Sequence, residues 1–229
     1  MKTLTGYFSK VELALWGTST VLILVSFLAF DRESYLTLAA SMVGATSLIF
    51  NAKGNPIGQA LMILFSVLYG IISYTFSYYG EMITYLGMTA PMALFALITW
   101  LRNPFKGNRA EVAVNRLKPF EHYLMLVLTA VVTIGFYFIL VAFETANIIP
   151  STLSVATSFI AVYLTFRRSP YFALAYAAND VVLIVLWTLA SMEDITYLSV
   201  LICFVMFLVN DLYGFFNWKQ MEKRQLKAA

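Results

Sequence analysis

The sequence predicts an all-α polytopic membrane fold with eight crossings, and three observations predict it. Of 229 residues, 61% are apolar and only 12% are charged, whereas a soluble domain carries about 25% charge. Apolar segments recur along the whole chain. A helix rises about 1.5 Å per residue and needs about 20 apolar residues to cross the hydrocarbon layer, so eight crossings use about 160 residues and fit this length. The basic residues also alternate with those segments, as membrane topology requires.

The segments, in order, are 11–30, 35–51, 57–78, 81–101, 120–143, 148–166, 171–190 and 194–218. The first is too long for the apolar core of a signal peptide, and Phe27, Leu28 and Phe30 make a poor cleavage site, so it is expected to stay in the mature protein. The second is short and rich in Ser, Thr, Ala and Gly, a composition suited to contact with other helices rather than lipid. In the fourth, Pro91 frees a carbonyl and predicts a bend or hinge. Arg167 and Arg168, between the sixth and seventh, read as topology determinants that meet lipid headgroups, and His122 sits at the start of the fifth.

With these spans, 14 of the 15 Lys and Arg residues, from Lys2 and Lys10 to Lys227, fall on one side, and only Arg32 falls on the other. Both termini and the 102–119 loop are therefore expected in the cytoplasm. The opposite loops are assigned Asp31, Glu33, Glu81, Glu144, Glu193 and Asp194. The net charge of +3 is accounted for by this asymmetry, so no nucleic-acid partner is expected and the lipid bilayer is.

An internal repeat runs through the chain. Glu81-Met-Ile-Thr-Tyr-Leu86 and Glu193-Asp-Ile-Thr-Tyr-Leu198 share five of six positions at an offset of 112. Lys53-Gly-Asn-Pro56 resembles Arg167-Arg-Ser-Pro170, and Ala45-Thr-Ser47 resembles Ala156-Thr-Ser158, in the same order. Two three-helix units follow, 35–101 and 148–218. They are joined by 102–147, which holds the loop and a linker helix, with an extra helix in 1–34 and a basic tail in 219–229. One intervening helix makes the units parallel, a transporter plan with its substrate site between the halves.

Polar groups interrupt the greasy spans. Asn179-Asp180 lies in the seventh and Asn210-Asp211 in the eighth, where an ionisable group costs about 2.5–3.5 kcal/mol on the lenient insertion scale. Packing by hydrogen bonds would offset that cost, as would protonation of the desolvated acids or a water-filled path; two pairs in adjacent spans favour the path. Tyr176, Asp180 and Trp187 share a stripe with Leu183 between them; Phe207, Asn210, Gly214 and Asn217 form another, with Trp218 beside it. Aromatic planes beside amides suit a flat, polar ring compound. Gln59, Thr89, Thr157 and Ser158 are further candidates, while Trp100, Trp218 and Tyr35, near span ends, read as interface anchors. One Cys and one His leave no metal, disulfide or cofactor site to expect, and no nucleotide-hydrolase or protease motif is present.

The run Asn51-Ala-Lys-Gly-Asn-Pro-Ile-Gly-Gln59, the stretch Thr99-Trp-Leu-Arg-Asn-Pro-Phe105, the segment Phe166-Arg-Arg-Ser-Pro-Tyr-Phe172 with Asn179, Asp180 and Trp187, and the ending Val209-Asn-Asp-Leu-Tyr-Gly-Phe-Phe-Asn-Trp218 together resemble the PnuC family of bacterial nicotinamide riboside transporters. The resemblance implies a SWEET-like three-plus-one-plus-three core and facilitated uptake of the riboside across the inner membrane for NAD biosynthesis. It also implies a homotrimer and a cytoplasmic kinase that traps the product. Trp187 would stack on the pyridinium, Asn179, Asn210, Asn217 or Gln59 would meet the amide or ribose, and Asp180 or Asp211 would balance the charge, with Tyr176 and Thr89 nearby. Two other readings stay open: an ion-coupled transporter of another vitamin or nucleoside-like solute, and an intramembrane enzyme or assembly subunit.

Overall fold

The computed structural model describes residues 4–75, 78–145 and 147–228; Lys2, and positions 76 and 77 at the end of the third predicted span, lie outside the described residues. Eight helices are long and apolar enough to cross a membrane. They are α1 (Lys10–Phe30), α2 (Tyr35–Ala52), α3 (Ile57–Thr75), α4 (Tyr79–Arg102), α5 (Pro119–Ala142), α6 (Ile148–Phe166), α7 (Phe172–Glu193) and α8 (Leu198–Ala228), the last entered through a 3-10 turn, Ile195–Tyr197. A single helical turn, Leu4–Tyr7, precedes α1.

Local chemistry sets the ends. Ser9 and Glu12 form a reciprocal capping box that starts α1: Ser9 N donates to Glu12 Oε2 at 2.7 Å, and Glu12 N donates to Ser9 Oγ at 3.2 Å. At the other face Asp194 caps the 3-10 turn, where the Thr196 N–H and hydroxyl hold its carboxyl below the usual carboxylate range. α4 is not uniform. Its middle, Tyr85–Thr89, is a π-helix, and Ala90 N donates five residues back to Tyr85 O. Pro91 follows immediately; it has no N–H to offer Gly87 O and its ring would crowd that carbonyl, so widening the turn relieves the conflict. The expected bend at Pro91 is thus a bulge one turn earlier.

One predicted boundary differs, and the connecting loop has structure of its own. α8 continues through the tail predicted at 219–229 as far as Ala228, because Met221, Glu222 and Gln225 are buried against the connecting loop. That loop holds an antiparallel hairpin, β1 (Pro104–Phe105) with β2 (Asn108–Val112), turned by Lys106 and Gly107 at positive φ.

The core is built by α2, α3, α6, α7 and α8, with α4 against α3 and α6. In the most apolar window, 56% of α2 is buried against 17% of α5 and 22% of α1, which places those last two at the periphery. The small residues of α2 are what permit this: a Cβ on Gly44 would stand 2.3 Å from Phe207 Cζ of α8. The third helix of each predicted unit lies on the first helix of the other, α4 on α6 and α8 on α2.

The turns leaving α2 and α6 share their hydrogen bonds. Gly54 N donates to Asn51 O and Arg168 N to Thr165 O, both at 2.9 Å, and Asn55 N to Phe50 O and Ser169 N to Leu164 O, both at 3.0 Å. Gly54 and Arg168 both take positive φ, 66° and 57°. The connecting segment then crosses both turns: Val112 N donates to Gly54 O at 2.9 Å, and Asn115 N to Arg168 O at 3.0 Å.

Candidate functional site

Stripe spacing on α7 turns Tyr176, Asp180, Leu183 and Trp187 inward, where they meet α3, α4 and α8. The Trp187 indole is fully enclosed, and its Nε1 donates to Tyr69 Oη at 2.9 Å. Around it stand Tyr78, Tyr197 and Tyr69, with ring centroids 5.1, 5.7 and 6.3 Å away. Tyr85 from the π segment lies 4.4 Å from Tyr69, and Phe65 and Phe204 complete the aromatic wall.

Asp180 and Asp211 are buried as neighbours close enough for their charges to interact, and Tyr176 lies within electrostatic range of both. The expected water-filled path is not displayed: Asp180 and Asp211 are 4% and 5% exposed, and the space beside Tyr69 and Phe204 measures about 10 Å³. The aromatic side chains have filled the centre. Even so, Asp180 Oδ2 finds no hydrogen-bond partner.

Glu81 corrects the sequence reading. Assigned to a loop, it is instead 2% exposed in the first turn of α4; one oxygen reaches Ser154 and Oε2 has no partner. Tyr85, one turn further on, lies within electrostatic range of both Glu81 and Asp180. Nothing in the sequence singles it out, because Glu193 opens the same hexapeptide motif and is exposed.

The three central acids also lack basic partners. Five ion pairs form among the described residues, and they neutralise Glu12 (by Lys53), Glu222 (by Arg116 and Lys219), Glu121 (by Arg167) and Glu111 (by Arg224). Glu81, Asp180 and Asp211 are in none of them.

Of the predicted amides, Asn179, Gln59 and Asn217 are engaged away from this centre, and Asn210 keeps one free oxygen. Asn179 Oδ1 accepts from Thr157 and Ser158 of α6 at 2.8 and 2.9 Å. Gln59 Nε2 donates to Asn51 Oδ1 at 2.8 Å, and Asn217 Nδ2 to Ala52 O at 2.7 Å, near the basic face. Asn210 Nδ2 donates to Ser19 Oγ of α1 at 2.9 Å and to Met206 O, leaving Oδ1 without a partner. Asn217 lines a separate cleft of about 540 Å³ with Lys53, Glu111 and Arg224. Thr89 is buried within the π segment.

Trp100 and Trp218 are not surface anchors. Both are buried, their rings 5.4 Å apart, and each donates across the molecule: Trp100 to Thr165 O at 3.0 Å, Trp218 to Asn51 O at 2.8 Å. Both carbonyls already accept from the turn that follows their helix, and the indoles engage the remaining acceptor capacity of each oxygen. Tyr35, 71% exposed, keeps the anchor position. Among the described residues no three His, Cys, Asp or Glu side chains gather to hold a metal ion.

Comparison with known proteins agrees in direction. The family model described as "Nicotinamide mononucleotide transporter" matches residues 34–220. A nicotinamide riboside transporter PnuC of Neisseria mucosa is 30% identical, covering 97% of this chain and 86% of that protein. Its counterpart in Haemophilus influenzae is 22% identical over 84% of this chain and 82% of that one. A crystal structure of the vitamin B3 transporter PnuC superposes with a TM-score of 0.84 at 25% identity, covering 97% of this chain and 96% of that one. On the match over most of its length and the relative at 30% identity, the chain belongs to the PnuC transporter family.

Proposed function

We propose that this chain carries nicotinamide riboside across the bacterial inner membrane as a uniporter, with both termini in the cytoplasm. The observation that carries this is the set of three buried carboxylates, Glu81, Asp180 and Asp211, that no basic residue neutralises among the described ion pairs. Charges buried away from water require a counter-charge, and a pyridinium cargo brings one. The rings of Tyr69, Tyr85 and Trp187 give that cation aromatic faces. Trp187 is the proposed stacking residue, Asp180 and Asp211 the proposed counter-ions and Tyr176 their neighbour. Asn210, through its partnerless Oδ1, is the proposed amide contact, whereas Asn179, Gln59, Asn217 and Thr89 support from their own bonding positions.

The mononucleotide fits this centre less well than the riboside, because its phosphate would approach carboxylates with no Arg or Lys among them. Phosphorylation by a cytoplasmic kinase would then trap the product. The paired hydrogen bonds of the 54 and 168 turns support the reading of two parallel units joined by α5, and we assign the homotrimer to the exposed apolar flanks of the chain. Relatives named as transporters leave no ground for an intramembrane enzyme. Equilibrium binding to the purified protein tests the proposal: the riboside binds, and nicotinamide and the mononucleotide bind more weakly. Equal or tighter binding of the mononucleotide contradicts it.

One observation favours a second reading. Asp180 and Asp211, two carboxyl groups buried side by side, would give proton-coupled uptake a place to act. Vesicles without kinase decide: coupled uptake concentrates the riboside under an imposed proton gradient, and uniport equilibrates it.

A further inference from the structure

Glu81 lies at the end of the core remote from the basic loops, at the start of the six-residue motif that ends at Leu86, and its environment differs from that of Glu193 in the related motif. A carboxylate in the first turn of a helix gains from the helix dipole while still exposed to water, so that role does not require Glu81 to be enclosed. Enclosure costs more than Ser154 alone returns, for one oxygen is left without any donor. The groups facing it are aromatic: Tyr69 and Tyr85 lie within electrostatic range of its charge. Tyr85 stands one turn further along α4 and within electrostatic range of Asp180 as well, whose Oδ2 is also a partnerless carboxylate oxygen. Carboxylate, tyrosine and carboxylate thus succeed one another from the outer end of the core toward its middle.

We infer that Glu81 is a specificity-determining residue that reads the positive charge of the cargo ring before the ring reaches the Asp180–Asp211 pair across Tyr85. This rests on the proposed transport of nicotinamide riboside and adds a second station to it. A lone deep site would hold a cation tightly; two stations separated by an aromatic ring let it move between comparable environments, as conduction requires.

The test compares two ligands of one shape, nicotinamide riboside and the same riboside with its ring reduced to the neutral dihydropyridine. Calorimetric binding to the purified full chain is measured for wild type, Glu81→Gln and Glu81→Asp, with thermal unfolding recorded for each. Wild type is expected to prefer the cationic ring. Glu81→Gln is expected to lose about tenfold or more of that preference, with affinity for the neutral ring within about threefold, and Glu81→Asp to retain it. Equal weakening for both ligands in Glu81→Gln assigns Glu81 to packing and overturns the inference, as does an unchanged preference. In either case the transport reading stands, because wild type still binds the riboside. If Glu81→Gln does not fold, the wild-type ratio decides, and equal affinity for the two rings overturns the inference. Wild type that binds neither ligand removes the transport reading and this inference together.

Discussion

Two regions of this molecule are built from the same materials and finish differently. At the basic face, Trp100 and Trp218 stack, each indole N–H reaches a helix-end carbonyl of the opposite unit, and Gln225 closes the loop by donating to Val112 O and accepting from Val114 N. In the core, Trp187 is ringed by Tyr69, Tyr78 and Tyr197, with Tyr85 against Tyr69, yet along it Glu81, Asp180 and Asn210 each keep an oxygen without a donor. Native interiors rarely leave such groups unpaired, because each costs about 1–3 kcal/mol. The difference is one of chemistry: at the basic face the buried atoms without a partner are the donors Arg167 Nε and Arg168 Nε, whereas in the core they include carboxylate and amide oxygens, the acceptors a cationic, hydrogen-bonding cargo would engage.

Trp187→Ala is expected to have the largest effect. It empties a fully enclosed site and strands Tyr69, costing about 3–5 kcal/mol in stability and abolishing riboside binding, as read by thermal unfolding in detergent and calorimetry. If binding persists in the folded variant, the centre is not the site. Asp180→Asn is expected to leave stability unchanged or raised while riboside binding falls by about thirtyfold; a matching loss of stability would make Asp180 structural. Asn210→Ala removes a partnerless oxygen and the bond to Ser19, and is expected to weaken binding about fivefold, the worth of one hydrogen bond. Trp218→Phe keeps the ring and deletes the N–H to Asn51 O, so it is expected to cost about 1 kcal/mol of stability and change affinity by less than about twofold. A large binding defect there would erase the distinction between basic face and core.

Much of the architecture was legible because its signals are one-dimensional. Eight apolar runs and the alternation of Lys and Arg can be read along the chain, and the helices fall where those runs predict. Trp187 and Asp180 were legible as aromatic and polar groups on one inward stripe, and Asp211 as an ionisable group in an apolar span. What was not legible depends on depth. Trp100 and Trp218 stand near span ends, and periodicity cannot distinguish an indole facing lipid from one capping a carbonyl 65 or 167 residues away. Asn179 and Gln59 carry the same amide chemistry as Asn210, but Thr157, Ser158 and Asn51 occupy them, and those partners come from other helices. Glu81 was hidden by its double: a motif repeated at Glu193 reads as a helix start in both places, and only the packing of α6 and α3 against α4 encloses one of them.

The account stands or falls on where the cargo sits. A cryo-EM or crystal structure of the full chain with bound nicotinamide riboside measures this directly. The expected result puts the pyridinium within about 6 Å of an aromatic ring of the centre, with Asp180 or Glu81 turned toward its charge. Riboside held only in the cleft lined by Lys53, Glu111 and Arg224, with the central carboxylates still enclosed and unpaired, would contradict it.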